Sequence, residues 1–171
     1  MPGFIIGQQA TPSSDIPSSK VEIRRRHRWK FTTTGPSSEI AIYASQADRP
    51  TVVVDVVNIH YQQDVIYVPA KNKWNPIDVT FYEVDNPDVA KKIQDWIETV
   101  VKFQTSALQS SGFKQHAELS MLDGMGKVQL TYELLGAWPS EINPDGLDYE
   151  TSDLSKIKVK LYYDKAKLVK V

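Results

Sequence analysis

The stretch Thr51-Val-Val-Val-Asp-Val-Val-Asn-Ile59 limits the fold more than any other part of the chain. It is bounded by Arg49-Pro50 and by the polar Gln62-Gln63-Asp64. β-Branched residues are stiff at χ1 and pack well on a pleated surface, so the stretch reads as a strand. Val65-Ile-Tyr-Val68 answers it as a hairpin partner. Successive side chains of a strand point to opposite faces. Val52, Val54, Val56 and Val57 therefore make both faces of this hairpin apolar. Such a hairpin is hard to leave in water and needs a second sheet or a neighbouring subunit. The residues expected to meet a neighbour are Val52, Val54, Val56, Ile59, Val65 and Tyr67.

Further strands follow the same two-residue period. Trp74 to Val84 places Ile77, Val79 and Phe81 on one face, and Ile40 to Ala44 reads as a short strand. Lys114 to Asp123 and Lys127 to Ala137 form a hairpin through Asp123-Gly124-Met125-Gly126. Gly136 releases the backbone, and Trp138-Pro139 is expected to end that ladder because proline has no N–H to donate. A loop rich in turn formers, Asn143-Pro144-Asp145-Gly146, then leads to an alternating strand over Lys156 to Tyr163. Trp138 is expected to plug the gap between sheets.

One segment has helical spacing instead. Val89, Ile93, Trp96, Ile97, Val100 and Val101 recur on one stripe. Asn86 can cap, Pro87 suits the first helical position and Asp88 the positive end of the dipole, so a helix is predicted over residues 87–109. Ile93, Trp96, Val100 and Trp138 are the candidate core residues. About eight strands and one flanking amphipathic helix give a mostly β (α+β) class, a sandwich or barrel, in one domain over residues 20–171. The 171 residues suffice for a core of that size.

Residues 1–19 carry Pro2, Pro12 and Pro17 among serines and bury little, so they read as a flexible arm. The arm either stays disordered or orders against a partner through Phe4-Ile5-Ile6. Lys20 to Thr34 reads as a strand with Arg24, Arg26, Arg28 and Lys30 on one face. A nucleic-acid stripe, a solvated face and a contact with an acidic partner are the three readings of that face. A net charge of −1 gives the molecule no basic field and disfavours the first. Arg24, Arg26 and Arg28 are accordingly assigned to an interface.

Chemistry finds no constellation. There is no cysteine, which excludes disulfides, thiolate metal sites and thiol nucleophiles. His27, His60 and His116 have no partner at ligand spacing, and no nucleophile elbow is present. Gly124 and Gly126 are followed by no helix and make no phosphate cradle. No catalytic, cofactor-binding or metal-ligating residue is predicted, and no enzyme activity is expected. No apolar run approaches the roughly 20 residues of a membrane helix, and Phe4-Ile5-Ile6 is too short for a signal core, so synthesis in the cytosol is expected.

The order of the pieces resembles the tail tube proteins of contractile-tailed bacteriophages and the haemolysin-coregulated-protein-like superfamily around them. The likeness rests on Ala47-Asp48-Arg49-Pro50, on Trp74 to Asp85, and on Val89 to Ile97 with Asp95-Trp96. It continues through Leu134 to Ile142, with Leu135-Gly136-Ala137-Trp138-Pro139 at its centre, and Ile157 to Tyr163. It spans roughly Val21 to the C-terminus, and the proline-rich arm and the basic first strand depart from it. The resemblance implies a homo-hexameric ring whose inner wall is one shared sheet. Rings would stack into a tube in the virion tail, assembled in the host cytoplasm, with tail sheath and baseplate proteins as partners. DNA would pass the lumen without specific binding, helped by acidic residues among Asp55, Asp64 and Asp78. The basic stretch would face an acidic loop, Glu141 to Asp153, of a neighbour. A baseplate tube initiator is the nearest alternative. A monomeric carbohydrate-binding sandwich with Trp74 or Trp138 as an aromatic platform is the more distant one.

Overall fold

The computed structural model describes residues 24–35, 37–105, 112–150 and 152–170. The arm at 1–19, Val21 and Ile23 of the expected first strand, and the expected helix end at 106–109 lie outside the described residues. Nine strands are present: β1 (Trp29–Thr33), β2 (Ala44–Ala47), β3 (Val52–Tyr61), β4 (Asp64–Trp74), β5 (Ile77–Tyr82), β6 (Gln115–Leu122), β7 (Val128–Pro144), β8 (Lys156–Tyr162) and β9 (Lys165–Lys170). The single α-helix among them, α1, is Val89–Thr105.

Seven strands form one antiparallel sheet in the order β1-β6-β7-β8-β5-β2, with β9 also on β7. Its organiser is β7. Residues from Val128 to Ala137 pair with β6, and Leu130 to Leu135 pair with β9 on the other edge. From Trp138 to Pro144 the strand pairs with β8. The ladder therefore does not stop at Trp138-Pro139, contrary to the sequence expectation. Gly136 takes a positive φ of 68° and turns the strand without ending it. Pro139 sits at a register shift against β8, where a missing N–H is tolerated. On the partner side, β8 bends at Tyr163-Asp164 into β9, and the Asp164 N–H donates to the Leu135 carbonyl. The sheet thus folds over on itself as two sandwich-like halves joined along β7. It does not close into a barrel.

The alternating residues of these strands fill the space between the halves. Phe31, Ile77, Val79, Phe81, Ala117, Leu119, Leu134, Ile157, Val159 and Leu161 are buried in one cluster. Helix α1 covers it with Val89, Ile93 and Trp96, while Val100 is buried one turn on. The Trp96 indole donates to the Phe113 carbonyl at 2.9 Å, so its polar edge is satisfied. The helix start differs from the prediction. Asp88, not Asn86, is the cap, its carboxylate accepting the Lys91 N–H at 2.9 Å, and the helix begins at Val89.

Trp138 is a second correction. It pairs with Tyr162, and the strand parity that buries Leu161 turns both rings outward. Half-buried, Trp138 stacks on Tyr162 at 5.5 Å and meets Phe113 edge-on at 6.3 Å, outside the main core. Ile40 to Tyr43 is a third. Ala41–Tyr43 is a 3-10 turn, and the strand starts only at Ala44. The strand expected over Lys20 to Thr34 begins at Trp29, with Arg26 and His27 in a turn, so Arg24, Arg26 and Arg28 do not share a strand face.

A Cβ on Gly136 would lie 2.3 Å from Asp164 Oδ2, and Asp164 is held by Lys114 Nζ at 2.7 Å. Gly136→Ala should cost about 1–2 kcal/mol for the left-handed backbone, plus the clash, in urea unfolding of the subunit. Adding Asp164→Ala should return the clash part only. An unchanged midpoint for Gly136→Ala would show that the turn in β7 tolerates a side chain.

Candidate functional site

Strands β3 and β4 form a separate two-stranded sheet. Every residue from Val52 to Lys73 is exposed. At about 3.4 Å per residue the arm reaches about 34 Å along its ten-residue strand β3. Register fixes its two faces. Val53, Val57, Ile59 and Tyr61 lie on one face with Ile66 and Val68. Val52, Val54 and Val56 lie on the other with Val65, Tyr67 and Pro69. Val57 is 51% exposed and Tyr67 is 69% exposed, so neither face is covered by the described residues. The expected interface set is therefore divided, with Ile59 opposite Val52, Val54 and Val56. Val53, Val57, Ile66 and Val68 lie on the same arm beside that set, because the alternation continues on both strands. The partner strand was expected over Val65 to Val68, yet β4 continues past Pro69 through a register shift to Trp74.

Among the described residues, the arm is fastened at its root. Asn75 donates through its N–H to the Thr51 carbonyl at 3.0 Å and through its amide to Thr51 Oγ1 at 3.2 Å. The Tyr163 hydroxyl donates to the Asn75 carbonyl at 2.6 Å, and its ring packs against Trp74 at 6.1 Å. Burial pushes the Tyr163 phenol above its ordinary pKa. Trp74 is thus a root contact, not an open platform for a sugar. At the tip, Gln62 adopts φ 55°, the positive value that a two-residue hairpin loop requires at its first position.

The outer face of β5, β7 and β8 carries an ordered set of charges. Lys158 pairs with Asp78 at 2.8 Å, and Lys160 with Glu141 at 2.6 Å. The Lys160 hydrogen bond holds the Glu141 carboxyl below its usual range, and the same contact raises Lys160. The Asp78 hydrogen bond raises Lys158. Asp78 and Glu141 are consequently neutralised within the subunit, while Asp55 and Asp64 lie on the exposed arm.

No group of three or more His, Asp or Glu side chains among the described residues is placed to hold a metal ion. His116 lies 3.2 Å from Glu118, and His27 and His60 are exposed. No described helix is long and apolar enough to cross a membrane.

The sequence model of the phage tail tube protein family matches residues 15–168. The chain belongs to that family. A tail tube protein of Serratia phage KSP90 is 21% identical over 141 residues, spanning 77% of this chain and 80% of the relative. Two solved structures share the fold. A sheath-tube complex of the PVC extracellular contractile injection system superposes with TM-score 0.71 at 14% identity, covering 95% of this chain and all of the other. The sheath/tube terminator of the same system gives TM-score 0.71 at 12% identity, covering 88% and 99%. The chain is a structural tail tube protein, and the two-faced arm is the part of this tail tube fold that its own core leaves uncovered.

A group whose pKa is lowered on folding contributes stability above its unfolded pKa and loses it as pH falls through the folded value. Glu141→Gln should therefore flatten the acid limb of the subunit's stability–pH curve and leave its shape near neutrality unchanged. Unfolding by urea across the carboxylate range checks this. An acid limb identical to the wild type would deny the Lys160–Glu141 pair any share.

Proposed function

We propose that six copies of this chain form a ring and that rings stack into the tube of a phage tail, through which genomic DNA passes. The observation that carries this reading is the arm of β3 and β4, aliphatic on both faces and exposed on both. Monomeric soluble proteins rarely expose contiguous apolar patches of this kind unless something binds there. Two faces of one flat arm call for two covering surfaces, which a neighbour in the ring and a copy in the next ring supply. Among the described residues the sheet's end strands β1 and β2 are paired on one side, and edges of this kind are removed by joining a neighbour. A net charge of −1 and neutralised acidic residues on the sheet suit a channel that lets phosphates slide. The role is mechanical, with no catalytic step. The outer face of α1, bearing Lys91, Asp95, Glu98 and Lys102, is polar and suits contact with a sheath protein. Baseplate proteins would meet the terminal ring. The place of action is the virion tail, with assembly in the host cytoplasm. Residues 20–171 would form the ring-building domain, with 1–19 as an appended arm.

Purified protein should show rings or tubes by negative-stain microscopy and fast-sedimenting species by ultracentrifugation. Val57→Ser with Ile59→Ser and Ile66→Ser should leave a folded monomer, because these side chains contribute nothing to the subunit core. Its circular dichroism and subunit unfolding midpoint should match the wild type within about 0.5 kcal/mol, as for exposed positions generally. A wild type that remains a compact monomer at high concentration would overturn the reading.

A further inference from the structure

Between the two ends of the folded-over sheet, where β1 and β2 approach without pairing, lies an open cleft of about 770 Å³. Its floor is apolar, made by Trp29, Leu119 and Met121. Its rim is basic, with Arg24, Arg26 and Arg49 against the single carboxylate of Asp48. The three arginines form no ion pair with the described residues. Arg28 takes no part in it. Its guanidinium lies against the Gly124 turn instead.

A second feature has the opposite character. The loop between β7 and β8 carries Asp145, Asp148, Glu150 and Asp153 with no lysine or arginine over residues 145–154. Large apolar side chains alternate with these acids and stand in water. Leu147 is 93% exposed, and Tyr149 is fully exposed. Large apolar groups placed this openly mark a contact surface. Apolar floor with basic rim matches apolar side chains with flanking acids, in both respects at once.

The geometry points to this loop of one copy seating in the cleft of another. The inference rests on the assembly reading and names one of its contacts. Both partners are on the same chain but at different ends of the sheet. The loop leaves beside Tyr82 at the end of β5, since Lys156 pairs with Tyr82. The cleft opens toward the start of β5, where the Asp48 N–H donates to the Asp78 carbonyl. Two different patches at two ends make a head-to-tail contact, which propagates from copy to copy and does not stop at a dimer. The charges would set register and speed of encounter, and Leu147 and Tyr149 would supply the buried anchor.

Charge reversal tests this with the full chain. One variant carries Arg24→Glu, Arg26→Glu and Arg49→Glu; the other carries Asp148→Lys, Glu150→Lys and Asp153→Lys. Each alone should raise the concentration at which tubes first pellet by about tenfold or more. Mixed together, the two should recover assembly, because the reversed cleft of one now matches the reversed loop of the other. Recovery also shows that both variants are folded. The absence of cysteine allows a second readout. A Gln46→Cys copy mixed with a size-tagged Tyr149→Cys copy should give a disulfide-linked pair of mixed size on mild oxidation. Reversals without effect on a wild type that does form tubes, or no mixed pair, would overturn this contact and leave the assembly reading standing. That result is also expected if residues 1–23 of the same chain, or an acidic partner of another kind, fill the cleft. A wild type that never assembles would remove both.

Discussion

The two halves of the main sheet are joined through one strand, β7, which belongs to both. Leu134 before the turn at Gly136 and Pro139 after it are both fully buried, so the turn lies inside the packed structure. Its companion on the opposite side of the ladder is the bend from β8 to β9 at Tyr163. That bend does two things. It keeps β9 on β7, and it aims the Tyr163 hydroxyl at the carbonyl of Asn75, the residue that follows β4. The direction of the projecting arm is therefore fixed by the same deformation that folds the sheet over. Core and arm are not separate designs joined by a hinge.

The division between covered and uncovered surface follows from this arrangement. The helix and the two sheet halves satisfy each other, as the Trp96 indole and the buried Ile93 illustrate. The arm, the sheet ends and the loop between β7 and β8 find no cover among the described residues. Repetition of the subunit in the proposed tube would resolve that incompleteness. The low identity to the solved relatives is consistent with this. A fold that must keep its strand parity and its protruding hairpin can change most of its side chains, provided their polarity survives.

Parity was the part of the sequence that could be read directly. Ile77, Val79 and Phe81 alternate with polar residues, and they are buried as that alternation requires. The helical stripe of Val89, Ile93, Trp96 and Val100 was equally plain. Punctuation was harder. Pro139 looked like a strand end, and the partner of β3 was read no further than Val68, but Pro139 and Pro69 are each accommodated at a register shift, and shifts depend on a partner strand that one-dimensional spacing does not supply. Trp138 looked like core because large aromatics usually are. One residue of parity relative to Leu161 put it outside. Strand β9 was missed because Lys165, Lys167 and Lys170 hide a short alternation that gains its meaning only from pairing with Leu130 to Leu135. Of the candidate assembly surfaces, the arm was legible from its valines alone. The cleft was not, since Arg24 and Arg49 are brought together by two strands that never bond to each other.

The arm has a consequence for the polymer as a whole. In a tube made of such subunits, every interior arm would be sheathed on both sides, whereas one end would leave an aliphatic side of its arms wet and the other end the surface that receives them. That deficit is a fixed free energy per end, independent of how many rings lie between. Few long cylinders are then favoured over many short ones, and strength of association alone sets no particular length. A tail of defined length would need a ruler or a stopper supplied from outside this chain.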